Sequence, residues 1–198
     1  MSIEYDRKTA PRRRRARKRN LVNQIACLAI LLTLTTGMLS IPVQAQANEY
    51  QVKAAFLFNF VKFVEWPADA FAYDGAPLVI GVVGSDPFGG ALDQTVSGKS
   101  VNGHQLAVRR LKLGEDLRGC HILFISSSER KNLAQIFGSL KGAAVLTVGD
   151  IGPFNQQGGI INFIMEASKV RFEINVSTAD QARLKISSKL LSLAKAVR

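Results

Sequence analysis

Short apolar runs alternate with helix-forming segments through the middle of this chain, and this alternation restricts its fold more than any other feature. Four runs have the length and the β-forming composition of strands: PLVIGVVG (77–84), HQLAVRRL (104–111), LRGCHILFIS (117–126) and AAVLTVGD (143–150). Helical segments occupy 85–96 and 128–140 between them. Strands connected in this way pair in parallel, and the helices cover both faces of the sheet. The sequence therefore predicts an α/β domain, a three-layer sandwich around a mostly parallel sheet.

The C-terminal third has a different pattern, which predicts an antiparallel hairpin and a closing helix. Residues 158–176 (GGIINFIMEASKVRFEINV) indicate two strands joined near Glu166–Lys169. A helical turn follows at 177–183, with Ser177 placed to cap it. A last helix is predicted over 189–197. The hairpin would add an antiparallel C-terminal edge to the sheet.

An aromatic helix is predicted at 49–67 (EYQVKAAFLFNFVKFVEWP), where Pro67 would end it. This segment is apolar on nearly all sides, so it either packs centrally in the core or uses part of its surface to meet a partner. The aromatic residues that we consider for partner binding are Phe56, Phe60, Phe63 and Trp66.

The N-terminus has the organisation of a secretory signal. RRRRARKRN (12–20) is a positive region, and the 21 residues LVNQIACLAILLTLTTGMLSI (21–41) form an apolar core. AQA (45–47) then supplies small residues for signal peptidase. We therefore predict a signal peptide helix at 1–47, export by the general secretory route, cleavage near Ala47 and a folded domain at 48–198. Cleavage before Gln46 and an uncleaved membrane anchor remain open alternatives.

Most of the positive charge belongs to this N-terminal segment. The whole chain carries a net charge of +11, but residues 1–47 hold 9 of the 26 Lys and Arg and only 2 of the 15 acidic residues. The remainder has 17 basic and 13 acidic residues, a net charge of +4. A mildly basic domain without a basic stripe does not predict a nucleic-acid partner. Membrane contact is expected only through a partner or an uncleaved signal.

Neither the cysteines nor the histidines predict a catalytic or metal site. Cys120 is the one cysteine after the signal, so no intramolecular disulfide is expected. His121 is adjacent, and neighbouring residues on a strand point to opposite faces, which favours a buried structural cysteine over a Cys–His pair. With two histidines in the chain, His104 and His121, no metal-ligand cluster can be assembled. An enzyme that uses Cys120 is the weaker alternative, and no catalytic residue is assigned.

A glycine-rich turn follows the first strand, in VIGVVGSDPFGG (79–90). It lacks the dinucleotide fingerprint, because two valines separate Gly81 from Gly84, and it lacks the lysine and hydroxyl residue of a P-loop after Gly89. No nucleotide or other cofactor is therefore predicted. The turn could still hold a small anion at Gly84, Ser85 and Gly89. A small-ligand binding module for an anion or aromatic compound is accordingly the alternative function.

Three segments together resemble the YfiR family of periplasmic proteins: KAAFLFNFVKFVEWP (53–67), LTVGD (146–150) and the stretch from GGIINF to SSKLLSLA (158–194). The resemblance implies an α/β sandwich and a regulatory protein, not an enzyme. It implies a periplasmic repressor that binds the sensor domain of an inner-membrane diguanylate cyclase, and so lowers cyclic-di-GMP and biofilm formation. A homodimer is an open alternative. Family members with redox control carry disulfide-forming cysteines, so Cys120 alone does not support an intramolecular thiol switch.

Partner contacts cannot be transferred from the family by motif, so they are assigned from the pattern. Besides the aromatic residues of the first helix, polar side chains alternate with apolar ones in the last hairpin strand, which predicts a polar strand face. Its residues are Arg171, Glu173 and Asn175. A solvated strand face is the alternative interpretation.

Overall fold

An eight-stranded mixed sheet forms the centre of the protein in a computed structural model that describes residues 42–198. Most of the predicted signal peptide, residues 1–41, lies outside the described residues. Within residues 42–198, none of the helices has both the length and the apolar character of a membrane span.

The strands are short, and two of the predicted parallel ones are buried on both faces along their whole length. In chain order the strands are β1 (Val64–Glu65), β2 (Leu78–Val83), β3 (Ser100–Val101), β4 (His104–Leu111), β5 (Ile122–Ile125), β6 (Leu146–Gly149), β7 (Ile161–Glu166), β8 (Lys169–Ile174), β9 (Lys185–Ile186) and β10 (Ala196–Val197). The α-helices are α1 (Pro42–Phe63), α2 (Ala91–Val96), α3 (Leu133–Ser139), α4 (Val176–Gln181) and α5 (Ser188–Leu193). Single 3₁₀ segments occupy Ala68–Ala70, Ser127–Asn132 and Phe154–Gln157.

The strand order is β10-β8-β7-β6-β5-β2-β4-β3, and the predicted mostly parallel sheet with an antiparallel hairpin is confirmed. Strands β2, β4, β5, β6 and β7 run in parallel, while β8 is antiparallel to β7. The chain moves from β2 to β4 on one side and then crosses to β5 on the other. This order is that of flavodoxin-like folds, whose topological switch point lies between the first strand and the third, here β2 and β5.

Two separate cores explain why β5 and β6 are apolar without alternation. Ile122 and Phe124 face the core beneath α1, whereas Leu123 and Ile125 face the core beneath α3. A parallel strand covered by helices on both faces has no polar side, so the period of two disappears. The three predicted layers are therefore present.

The first helix differs from the prediction at both ends. It extends over Pro42–Phe63 instead of 49–67, so it includes the predicted cleavage region, and it ends four residues before Pro67. Val64 leaves the helix because it pairs with Ile186 in the two-stranded antiparallel ladder of β1 and β9. The Ser187 amide also donates to the Phe63 carbonyl at 2.9 Å. The pairing with β9, not proline, ends this helix.

The predicted last helix, 189–197, is also too long. It ends at Leu193, and Ala196–Val197 instead form β10, parallel to β8. The Lys195 amide donates to the Phe172 carbonyl at 2.8 Å, and further bonds follow along the strand. The free edge of β8 supplies hydrogen-bond partners that override the helical preference of this short segment.

One predicted cap was also wrong. Asn175, not Ser177, caps α4, since its side-chain oxygen accepts from the Thr178 amide at 3.0 Å.

Candidate partner-binding surface

The aromatic side of α1 packs on the C-terminal hairpin. Phe60 is fully buried, with 0 % of its surface exposed, and its ring stacks on Phe163 at 5.8 Å between centroids. Phe172 meets the same ring edge-on at 5.3 Å. Phe56 is half-buried and also contacts Phe163 and Phe172, at 6.0 and 5.5 Å. Of these two predicted contact residues, Phe60 lies in the core and only Phe56 has an accessible part.

The opposite side of α1 carries a feature that the sequence analysis missed. Two ammonium groups lie over the half-buried ring of Phe58, Lys62 Nζ at 4.1 Å and Lys99 Nζ at 4.3 Å from its centroid. Lys62 is one helical turn after Phe58, a spacing that places side chains on the same face and could have indicated this pair. Lys99 comes from the turn before β3, so only the fold brings it here. Ammonium groups over an aromatic face are attracted by its quadrupole.

Phe63 lies on the same exposed face of α1 as Phe58, at the C-terminal end of the helix. It is half-buried, and Lys189 Nζ from α5 lies 5.4 Å from its ring centroid. Exposed Asn59 and Lys62 lie between the two rings on the helix. We call this region the outer α1 surface; its members are Phe58, Asn59, Lys62, Phe63, Lys99 and Lys189. Among the residues that the structure describes, none of its three lysines forms an ion pair.

Trp66 lies apart from these residues, in a histidine-containing cluster at the end of α1. Its indole nitrogen donates to the His121 carbonyl at 3.1 Å. The Phe71 ring packs between His104 and His121, with centroids 4.0 and 4.5 Å away. Burial, followed by the charge of His104, lowers the pKa of His121 to about 4, and its Nδ1 accepts from the Val79 amide at 3.1 Å. The hydrogen bond to His121 thus holds the Trp66 indole in place. Trp66 also lines a cleft together with Phe71 and His104.

The predicted polar strand face is only partly formed. Arg171 and Glu173 lie on β8, opposite Ile164 and Asn162 of β7, on the face that points away from Phe172. Arg171 is exposed and Glu173 is half-buried. Asn175 lies beyond the strand end, where it caps α4 and donates to the Asn155 carbonyl at 3.2 Å. The structure therefore brings two of these three residues together.

The glycine turn at the switch point is filled by the protein's own groups. Gly84 has a φ of +92°, and a Cβ there would collide with the side chains of Ser128 and Glu129. The Ser85 amide, which an anion would need, donates instead to Ser128 Oγ at 3.0 Å. The carboxylate of Glu129 would repel an anion. These contacts oppose the anion site proposed at Gly84, Ser85 and Gly89.

Arg110 closes the far end of this turn. Its guanidinium donates to the Gly89 carbonyl at 3.0 Å, to Asp86 at 2.9 Å and to Asp93 at 2.7 Å. The hydrogen bond from Arg110 is the main cause that lowers the pKa of Asp93. Asp86 also accepts from the Phe88 amide at 2.8 Å, so it shapes the turn. The arginine therefore neutralises two carboxylates and is not free for a ligand.

A buried charge cluster, which the sequence did not reveal, joins the middle of α1 to the end of β6. Lys53 is 3 % exposed, and its Nζ lies 2.7 Å from Asp150 and 2.6 Å from Glu49. The Tyr50 hydroxyl donates to Asp150 at 2.8 Å. Burial, with the hydrogen bond to Asp150 second, raises the pKa of Tyr50. Each buried charge thus has a partner, and the cluster fixes the helix to the sheet.

Cys120 has the environment of a structural residue. It is 2 % exposed in the core beneath α3, and burial raises the pKa of its thiol to about 11. His121 lies with Trp66 and Phe71 and not with the thiol. Within residues 42–198, no three His, Cys, Asp or Glu side chains are close enough to hold a metal ion.

Comparison with known proteins identifies the family. A solved structure from Vibrio cholerae O1 biovar El Tor, titled a conserved domain protein, has a TM-score of 0.52 and 10 % sequence identity, which shows a likeness of fold alone. The alignment covers 75 % of this chain and 60 % of that one. Curated protein sequences give no significant match. The sequence model of the YfiR/HmsC-like family matches residues 50–195, which include α1 from residue 50 onward and the hairpin that it packs on. This chain therefore belongs to the YfiR/HmsC-like family of periplasmic regulatory proteins.

Proposed function

We propose that this protein is a periplasmic repressor that binds the periplasmic sensor domain of an inner-membrane diguanylate cyclase and lowers cyclic-di-GMP signalling. The family supports a regulatory role, and the secretory signal pattern supports the compartment. The observation that carries the proposal is the outer α1 surface, where three lysines lie over two aromatic rings and form no ion pair within residues 42–198. Aromatic anchors surrounded by polar groups are typical of the energetic centre of a protein interface.

The charge of this surface defines the chemistry of its partner. Lys62, Lys99 and Lys189 are exposed and give the outer α1 surface three positive charges. A partner with Asp or Glu around an apolar side chain would pair with the ammonium groups while it packs on Phe58 or Phe63. Such complementary charges accelerate association, and salt weakens the effect because the Debye length is only about 10 Å at 0.1 M.

Repression requires that the protein prefer one conformation of the sensor. If it binds the inactive conformation better than the active one, it shifts the population by that difference in binding free energy. A tenfold shift needs about 1.4 kcal/mol, and a change from 1 % to 99 % inactive needs about 5.5 kcal/mol. A few well-packed aromatic and charged contacts are sufficient for the smaller of these values.

The test measures binding to the periplasmic domains of the cyclases of the same organism by calorimetry. The protein is purified from the periplasm after expression of its whole reading frame. We expect a complex with one cyclase, a Kd that Lys62→Glu weakens about tenfold, and cyclase activity in membranes that falls when the protein is added. Lys131→Glu is the matched control, because Lys131 is an exposed lysine beside α3, away from α1.

Two results would contradict the proposal. One is a Kd weaker than about 1 mM for every such sensor domain. The other is equal weakening by Lys62→Glu and Lys131→Glu, which would show a general charge effect and no role of the outer α1 surface.

A further inference from the structure

A second cleft lies on the other side of the molecule, between the end of α3 and α4. Its volume is about 290 Å³, and it opens at the amino-terminal edge of β6. Its apolar wall consists of Phe137, Leu140, Ala143, Val145, Ile160 and Ala182. Small-molecule sites are concave, mostly apolar and equipped with few polar groups, and this cleft is just smaller than their usual range, which begins at about 300 Å³.

Most of the polar side chains that line this cleft make no hydrogen bond within residues 42–198. Thr147 is 4 % exposed, and its hydroxyl accepts from the Ile160 amide at 3.0 Å. In the part of the chain that the structure describes, this hydroxyl donates to no protein acceptor. The side chains of Lys141, Thr178 and Gln181 also line the cleft, and in the same part of the chain they make no hydrogen bond. Lys141 and Gln181 are exposed and Thr178 is half-buried, so these side chains are hydrated and accessible to a ligand.

The charge around the cleft is positive. Lys141 is at its rim, and no acidic residue lines it. Arg118 adds a second cation close behind, since its guanidinium donates to the carbonyls of Ser139 and Lys141, both at 3.0 Å. These two bonds also hold the segment that carries Lys141. An apolar cavity with one cation at its mouth matches a ligand with an apolar body and one negative group.

We propose that the α3–α4 cleft binds a small monocarboxylate that has an apolar body and about ten non-hydrogen atoms in all. The size follows from the cleft volume and the roughly 30 Å³ that a water molecule occupies in the liquid. In this complex the carboxylate pairs with Lys141, the apolar body packs between Phe137 and Ile160, and Thr178 and Gln181 contact the polar end. The site differs from the outer α1 surface and does not depend on the proposed function.

The test uses 3-phenylpropionate and octanoate as probes, with 3-phenylpropanamide as the uncharged control. Binding to the protein, prepared from its whole reading frame in the form that cells accumulate, is measured by calorimetry and by ligand-observed NMR. We expect saturable binding of at least one acid with a Kd below about 1 mM, and weaker binding of the amide. Ala143→Leu and Ala182→Leu fill the cleft from opposite walls, so each should weaken binding by more than about tenfold.

Lys141→Ala separates the charge contribution from the shape. It should weaken binding of the acid by about fivefold and leave binding of the amide unchanged, because an exposed ion pair contributes modestly. Lys131→Ala is the matched control and should change neither. Circular dichroism spectra and melting temperatures equal to those of the unaltered protein establish that the variants fold. Absence of saturable binding of both acids, or binding that both leucine variants leave intact, would overturn the proposal.

Discussion

Lys53 provides the sharpest test of how the first helix is held on the sheet. Replacement by methionine keeps the length of the side chain but removes the ammonium group, which leaves Asp150 next to a buried apolar group. Loss of one member of a buried pair costs about 3–5 kcal/mol. Asp150 keeps the hydrogen bond from the Tyr50 hydroxyl at 2.8 Å, and the side chain of Glu49 is 26 % exposed and can be hydrated. We therefore expect the lower end, about 3 kcal/mol.

Urea unfolding followed by circular dichroism measures this loss. With a slope of about 2 kcal/mol per molar urea, Lys53→Met should lower the midpoint by about 1.5 M. Lys62→Met is the matched control on the same helix, because Lys62 is exposed, and its effect should stay within about 0.5 kcal/mol. Asp150→Asn alone should cost about 1–2 kcal/mol, since Lys53 retains Glu49 at 2.6 Å. The double variant should then lose less than the two single variants together. A loss below about 1 kcal/mol for Lys53→Met, or strict additivity, would refute the coupling inferred from the geometry.

Three further predictions test the core. The pKa of His121 falls from 6.5 to about 4 on folding, so the contribution of its neutral form to stability is fully present above pH 6.5. Up to about 3 kcal/mol of the free energy of unfolding is lost as the pH falls from 6.5 toward 4. His121→Gln should flatten this part of a pH profile of urea unfolding, and an unchanged slope would contradict the prediction. Burial raises the pKa of Cys120 to about 11. At pH 8 a thiol reagent, followed by absorbance, should therefore react at least about 100-fold more slowly with the native protein than with the unfolded chain. Equal rates would mean that the thiol is accessible. Phe60→Ala should lower the free energy of unfolding by about 3–5 kcal/mol, because it leaves a cavity against the hairpin. Phe58→Ala should lower it much less. A larger loss for Phe58→Ala would contradict the assignment of Phe60 to the core and of Phe58 to the surface.

The candidate surface could be anticipated in part. The aromatic composition of the first helix indicated that some of its rings would contact other groups, and Phe56 and Phe63 are indeed half-buried. The sequence could not separate them from Phe60, because a helix that is apolar all round gives no direction to its buried side. Lys99 could not be assigned to Phe58 from the sequence, because the two residues are 41 positions apart in the chain and only the packing of α1 beside the turn before β3 brings them together.

The short pairings at the chain ends were beyond sequence analysis for a related reason. Strands β1 and β10 contain two residues each, too few for any hydrophobic period to appear. Their conformation depends on the neighbours that offer hydrogen bonds, β9 in one case and the edge of β8 in the other. The cap of α4 shows the same dependence on geometry, because Asn175 and Ser177 are both good capping residues and the path of the chain from β8 selects the first.

By itself, the sequence determined the α/β class, the parallel central strands and the antiparallel hairpin, because burial on both faces requires continuous apolar runs and a hairpin requires alternation around a turn. It also carried the motifs that led to the family. Only the tertiary structure decided which groups are free to bind. It filled the glycine turn with Ser128 and Glu129 and paired Lys53 with Asp150, whereas Lys62 and Lys141 have no ion-pair partner among residues 42–198. The physical reason is that the availability of a side chain depends on groups distant in the chain, whereas periodicity reports only on its near neighbours.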